Sequence, residues 1–108
     1  MPNRLVITEI DPNHVALQGE IDAHSAPGVA EHFTSLPAGD DDIVIVMAEV
    51  TFIDSSGLRV LIDLQQRADD AGRRLVLDAP SQSVAKLLEV SGLSDHFTIG
   101  REPTTDSN

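Results

Sequence analysis

The sequence predicts one α/β domain, with a mostly parallel central sheet of four to five strands, an N-terminal hairpin and about three helices. Three observations predict it. Short β-branched runs alternate with stretches whose apolar residues fall at helical spacing, in the order ββαβαβα with room for a last strand. The run at 43–50 (IVIVMAEV) is nearly continuous, as befits a central strand buried on both faces. The chain has 108 residues, a length that suits one core rather than two.

Residues 5–10 are rich in β-branched side chains and end at the turn signal Asp11-Pro12-Asn13. Over 14–22 the pattern alternates: Val15, Leu17, Gly19 and Ile21 face one way, and Ala16, Gln18, Glu20 and Asp22 the other. The short turn between these strands predicts a hairpin. Ser25 and Pro27 signal a helix start, and Ala26, Val29, Ala30 and Phe33 share one helical face; Pro37, Ala38 and Gly39 end that helix. After the central strand comes TFIDSSG, then Leu58, Leu61, Ile62 and Ala68 at helical spacing. Leu61 and Ile62 are expected to face inward. Gly72 is the expected C-cap, with Arg73 and Arg74 beside the negative end of the helix. Residues 74–78 form a short strand. Pro80 and Ser81 open a third helix with Val84, Leu87 and Leu88 inward, and Gly92-Leu93 is a Schellman stop. Residues 97–99 are an expected edge strand. The domain is expected to span 1–100, followed by a flexible polar tail over 101–108.

Composition narrows the function classes. With 18 acidic against 7 basic residues, the net charge of −11 argues against nucleic acid and against an anionic membrane surface. The chain has no cysteine, which removes disulfides, thiolate catalysis and Cys-based zinc sites. The opening MPNRLVITEI is too short and too polar for a signal peptide, and no apolar run approaches the roughly 20 residues of a membrane span. The expectation is a cytoplasmic protein, monomeric when free, that needs neither cofactor nor metal.

The informative segment is Asp54-Ser55-Ser56-Gly57-Leu58, between a buried strand and a helix. Ser and Asp favour N-cap positions because their oxygens accept the unpaired N–H groups of the first turn, and the helix dipole there favours negative charge. Gly57 would leave the neighbouring serines uncovered. A hydroxyl at the C-terminal end of a parallel strand also lies where α/β folds place their sites. Against this stands the plainer reading, in which Ser55 or Ser56 is only a helix cap, worth about 1 kcal/mol. The segment is no nucleophile elbow, since Ile53 stands where the first glycine is required, and it lacks the Gly-Lys-Ser/Thr of a phosphate loop.

Three segments in order, GEIDAHSA (19–26), VTFIDSSGLRVL (50–61) and VAKLLEVSGL (84–93), resemble the STAS-domain anti-sigma factor antagonists of bacteria over about residues 5–100. The resemblance implies a STAS-like fold and a partner switch. The unphosphorylated protein binds an anti-sigma factor that is also its serine kinase, releasing a sigma factor; phosphorylation ends the binding, and a serine/threonine phosphatase restores it. Carried onto this chain, the phosphorylated serine is Ser55, preceded by Asp54, with Ser56-Gly57-Leu58 beginning the helix. Asp22 is the acid that the family places near that serine. The partner surface is expected on the 22–25 loop and the exposed side of the helix from Ser55 to about Leu64, with Asp22, His24, Ser25, Asp54, Ser56, Gly57, Leu58, Arg59 and Asp63 as its residues. One position departs: family members often carry Asp or Asn eight residues before the motif's Asp, and here it is Val46.

A second hypothesis is an unregulated STAS interaction subunit of a transporter or signalling scaffold, with Ser55 only a cap. A third, a small enzyme, lacks a visible base–nucleophile pair. Glu20, Asp22 and His24 form a loose metal constellation that an exposed polar strand edge explains better. His14, His32 and His96 read as surface residues, Asp40-Asp41-Asp42 as a solvated loop, and Phe52 as core.

Overall fold

The turn at Asp11-Pro12-Asn13 sets the first pairing. The Asp11 carboxylate accepts the Asn13 N–H at 2.9 Å, and β1 (Val6–Asp11) runs antiparallel to β2 (His14–Ile21). The computed structural model describes residues 5–101. Beyond the hairpin it contains α1 (Ala26–His32), β3 (Ile43–Ile53), α2 (Ser55–Asp70), β4 (Leu75–Asp78), α3 (Gln82–Val90) and β5 (Thr98–Ile99). This is the expected order, with the last strand present. The sheet runs β1-β2-β3-β4-β5, with every pairing after the hairpin parallel.

Each crossover advances one strand in the same direction, and right-handed connections of that kind lay their helices on one face. Burial agrees. Val15, Leu17 and Ile21 of β2, Ile43, Ile45 and Met47 of β3, and Leu75 and Leu77 of β4 are buried. They form one cluster with Val29 of α1, Leu58, Leu61, Leu64 and Ala68 of α2, and Val84 and Leu88 of α3. The alternate positions Ala16, Val44, Val46, Ala48 and Val76 are only half-buried. The expectation that β3 is buried on both faces is therefore corrected: a run of β-branched residues reports strand propensity, and topology decides how many faces are covered.

Other departures are local. Helix α1 ends at His32, before Pro37, and Ala30 on it is exposed. Ile62 is 37 % exposed, because it lies about 100° around α2 from the buried Leu61. Phe52 is 47 % exposed, because Ile53 beside it takes the inward position. Gly72, at φ +72°, closes α2 in a Schellman motif: Arg73 N–H donates to Ala68 C=O at 2.8 Å and Gly72 N–H to Asp69 C=O at 3.0 Å. Arg73 is buried rather than beside the helix end. Its guanidinium donates to the carbonyls of Asp41 and Pro37 and to Asn13 Oδ1. Arg74 pairs with Asp42 at 2.8 Å. Gly92 and Leu93 make the same motif after α3, with Leu93 N–H on Leu88 C=O at 2.8 Å. Arg101 pairs with Asp78 at 2.7 Å; residues 102–108 of the expected tail lie outside the described residues.

Candidate functional site

The end of β3 and the start of α2 make a corner that Asp54 organises. Its backbone is extended (φ −116°, ψ −170°), and its carboxylate accepts the N–H of Ser56 at 2.8 Å and of Gly57 at 3.4 Å. Asp54 is thus the N-cap, and neither serine is. Its own N–H donates to Ile21 C=O at 3.1 Å, tying the corner to the end of β2. Ser55 is the first helical residue, exposed, with its hydroxyl outside the cap; Ser56 is half-buried.

Gly57 has a different role from the expected one. It is buried, and a Cβ there would meet Ile21 Cγ2 at 2.6 Å and Ile53 Cγ1 at 2.8 Å. The missing side chain lets α2 lie against the two strand ends, and does not serve to expose the serines.

The 22–25 loop packs beside this corner. The Asp22 carboxylate accepts the N–H of His24 at 2.9 Å and of Ser25 at 3.0 Å. These bonds hold its pKa below the ordinary carboxylate value, the Ser25 N–H foremost, against some opposing desolvation. Ser25 precedes α1 at the cap position without capping it. Its hydroxyl donates to Glu20 C=O at 2.7 Å and accepts the Asp22 N–H at 3.0 Å, with the residue only 1 % exposed.

The structure divides the expected partner residues. His24, Arg59 and Asp63 are exposed, and Asp22, Asp54 and Ser56 are half-buried. Asp63 is already engaged by Arg67 at 3.4 Å. Ser25, Gly57 and Leu58 are buried, which differs from the expectation that they meet a partner: they shape the surface from beneath. Sequence reasoning missed Phe52 as a surface residue. Alternation alone could not have found it: counted from the buried Val50 it places Phe52 inward, and the register shift between Gly19 and Glu20 is what turns Ile53 to the core instead.

Chemically, the corner offers a solvent-facing alcohol at a helix N-terminus, where a developing anion is favoured. The capping carboxylate beside it is occupied by the backbone N–H groups of Ser56 and Gly57. Glu20, Asp22 and His24 do not line up on one strand face, because β2 ends at Ile21; among the described residues no group of three or more His, Asp or Glu is placed to hold a metal ion. Among those residues, too, no helix is long and apolar enough to cross a membrane.

Comparison with known proteins matches the STAS domain model to residues 6–106. The anti-sigma-B factor antagonist of Bacillus subtilis (strain 168) is 32 % identical over 85 residues, covering 79 % of this chain and 78 % of that protein. The anti-sigma-B factor antagonist of Listeria monocytogenes is 34 % identical over 96 residues, covering 86 % and 84 %. Among solved structures, the anti-sigma factor antagonist SpoIIAA in its unphosphorylated form superposes with a TM-score of 0.69 at 21 % identity, over 89 % of this chain and 87 % of that one. At that identity the likeness is one of fold.

Proposed function

Because the chain belongs to the STAS-domain family, we propose that it is an anti-sigma factor antagonist, a regulatory binding protein rather than an enzyme. Unphosphorylated, it binds an anti-sigma factor that is also a serine kinase, and so frees a sigma factor. Phosphorylation of Ser55 switches it off, and a serine/threonine phosphatase returns it to the active form. The observation that carries this reading is the exposed Ser55 hydroxyl at the first position of α2, left free because Asp54 does the capping. The names of the curated relatives support it.

The switch acts at the interface. A phosphoserine brings about −1.5 to −2 charge. On the free chain the helix N-terminus favours it by roughly 0.3–1 kcal/mol, while Asp54 and Asp22 oppose it through water and salt. Those contributions nearly cancel, so the fold is kept. Buried against a partner, an uncompensated charge costs several kcal/mol, and even about 3 kcal/mol lowers affinity more than a hundredfold.

The test is to incubate the chain with ATP and each purified anti-sigma factor kinase of its own organism, with mass spectrometry of the product. One phosphate on Ser55 and none on Ser55→Ala is expected, with tight binding confined to the unmodified form. Stable binding to a partner that never phosphorylates Ser55 would instead identify an unregulated interaction subunit.

A further inference from the structure

Phe52 is a large ring left 47 % exposed at the C-terminal end of β3, between the buried Val50 and Ile53. It precedes Ser55 by three residues, so the two Cα atoms lie within about 11 Å. Its surroundings are acidic. Glu20 is its register partner on β2, roughly 5 Å away across the strands. Two register pairs back along the same strands, past Gly19 and Val50, Glu49 faces Gln18. Glu20 and Glu49 are both exposed. The Arg side chains that form ion pairs among the described residues take Asp63, Asp42 and Asp78, so neither glutamate is neutralised.

A half-exposed aromatic ring beside unpaired carboxylates is an unfavourable way to face water and a favourable way to face one kind of surface. Aromatic side chains are the commonest energetic anchors of interfaces when a pocket takes them up and drier contacts ring them. Two glutamates on the rim select a pocket edged with Lys or Arg. A second copy of this chain fits poorly, because it carries the same net charge of −11 and would set glutamate against glutamate.

We propose that the serine kinase that acts on Ser55 takes the Phe52 ring into an apolar pocket rimmed by basic side chains that meet Glu20 and Glu49. The docking surface thus continues from the Ser55 corner onto the end of the sheet. This inference rests on the reading of Ser55 as phospho-acceptor and adds where the kinase grips and what chemistry its pocket has.

The experiment uses the full chain and the purified kinase that phosphorylates it in the assay above. Affinity is measured by calorimetry and Ser55 phosphorylation by steady-state kinetics, for wild type, Phe52→Ala, Phe52→Gln and the double variant Glu20→Gln/Glu49→Gln. Loss of the ring is expected to weaken binding about thirtyfold, the equivalent of ~2 kcal/mol for an anchor at ~1.4 kcal/mol per tenfold. It should raise KM with kcat unchanged, as for binding energy spent equally on ground and transition states. The double variant should bind less tightly and lose much of the salt dependence of association. Both Phe52 variants should melt close to wild type, since the ring is half in solvent; if one does not, the other carries the comparison. Wild-type affinity and KM in both Phe52 variants would overturn the proposal while leaving Ser55 as the acceptor. A dimer in sedimentation that Phe52→Ala dissolves would name a second copy as the occupant and overturn it equally. If no kinase of the organism modifies Ser55, the reading beneath the proposal fails first, and the two failures are told apart by wild type alone.

Discussion

Gly57 and Ile21 touch across the junction of helix and sheet so closely that no Cβ fits between them: a methyl group on Gly57 would stand 2.6 Å from Ile21 Cγ2. Ile21 is 2 % exposed and branched at Cβ, so it has little freedom to retreat. Gly57→Ala is therefore expected to destabilise the chain although alanine is the better helix former. Overpacking costs typically 1–3 kcal/mol, and the propensity gain offsets at most about 1. Thermal melting checks this, and a raised melting temperature would refute it.

Asp54 and Ser55 should separate cleanly by mutation. Asp54→Ala removes the acceptor for the Ser56 N–H and is expected to lose about 1 kcal/mol, with Asp54→Asn keeping most of it. Ser55→Ala, by contrast, should leave stability within about 0.5 kcal/mol of wild type, since that hydroxyl takes no part in the cap. Denaturant midpoints for the three variants provide the measurement. Comparable losses in Asp54→Ala and Ser55→Ala would mean that the serine caps after all.

Arg73 joins Asn13, Pro37 and Asp41 through one planar guanidinium. Replacing it with alanine leaves three acceptors to find water, with an expected loss of roughly 1.5–3 kcal/mol. A lysine has the charge without the fork, so Arg73→Lys should recover little of the loss. At roughly 4–8 °C per kcal/mol for a domain near this size, calorimetry resolves the difference easily. Full recovery by lysine would show that charge alone is what the site requires.

Two carboxylates contribute to stability against acid. Asp22, held by the N–H groups of Ser25 and His24, and Asp78, held foremost by the Arg101 side chain, both titrate below the ordinary value of 3.8. A carboxylate with a depressed folded pKa contributes stability above its unfolded pKa and loses that contribution as the pH falls through the folded value. Asp78→Asn should thus be less stable than wild type at neutral pH, and the gap should narrow steadily below about pH 3.8. Chemical denaturation across pH 2–7 reads this directly, in about ten steps; a gap independent of pH would assign the loss to packing.

The fold was legible because its signals are local and redundant. Alternation in β2, the Ser81 cap and the two glycines at φ +72° and +76° each act within a few residues. What the sequence could not convey is which face of each element meets another. The half-buried Val44 and Val46 look the same in sequence as the buried Ile43 and Ile45, and only the one-directional strand order separates them. At the candidate site, the order Asp54-Ser55-Ser56 was readable, but which of the three caps depends on backbone angles. Gly57 drew attention for the wrong reason, because the two isoleucines it admits stand 36 and 4 positions away in the chain. Arg73 beside a helix end suggested a dipole partner; its actual acceptors lie in loops brought near by the tertiary fold.

The central strand is unevenly held. Between Val44 and Val46 it pairs with β2 on one side and β4 on the other, whereas from Glu49 to Ile53 the ladder continues with β2 only, among the described residues. Backbone segments with fewer flanking partners open at lower free energy than the global transition. Amide hydrogens over 49–53 should accordingly exchange through local opening, while those over 44–46 wait for the whole domain to unfold. The helix start that carries Ser55 is therefore mounted on the less protected half of the strand, and a bound protein that quiets this opening will slow exchange there while leaving the protected half unchanged.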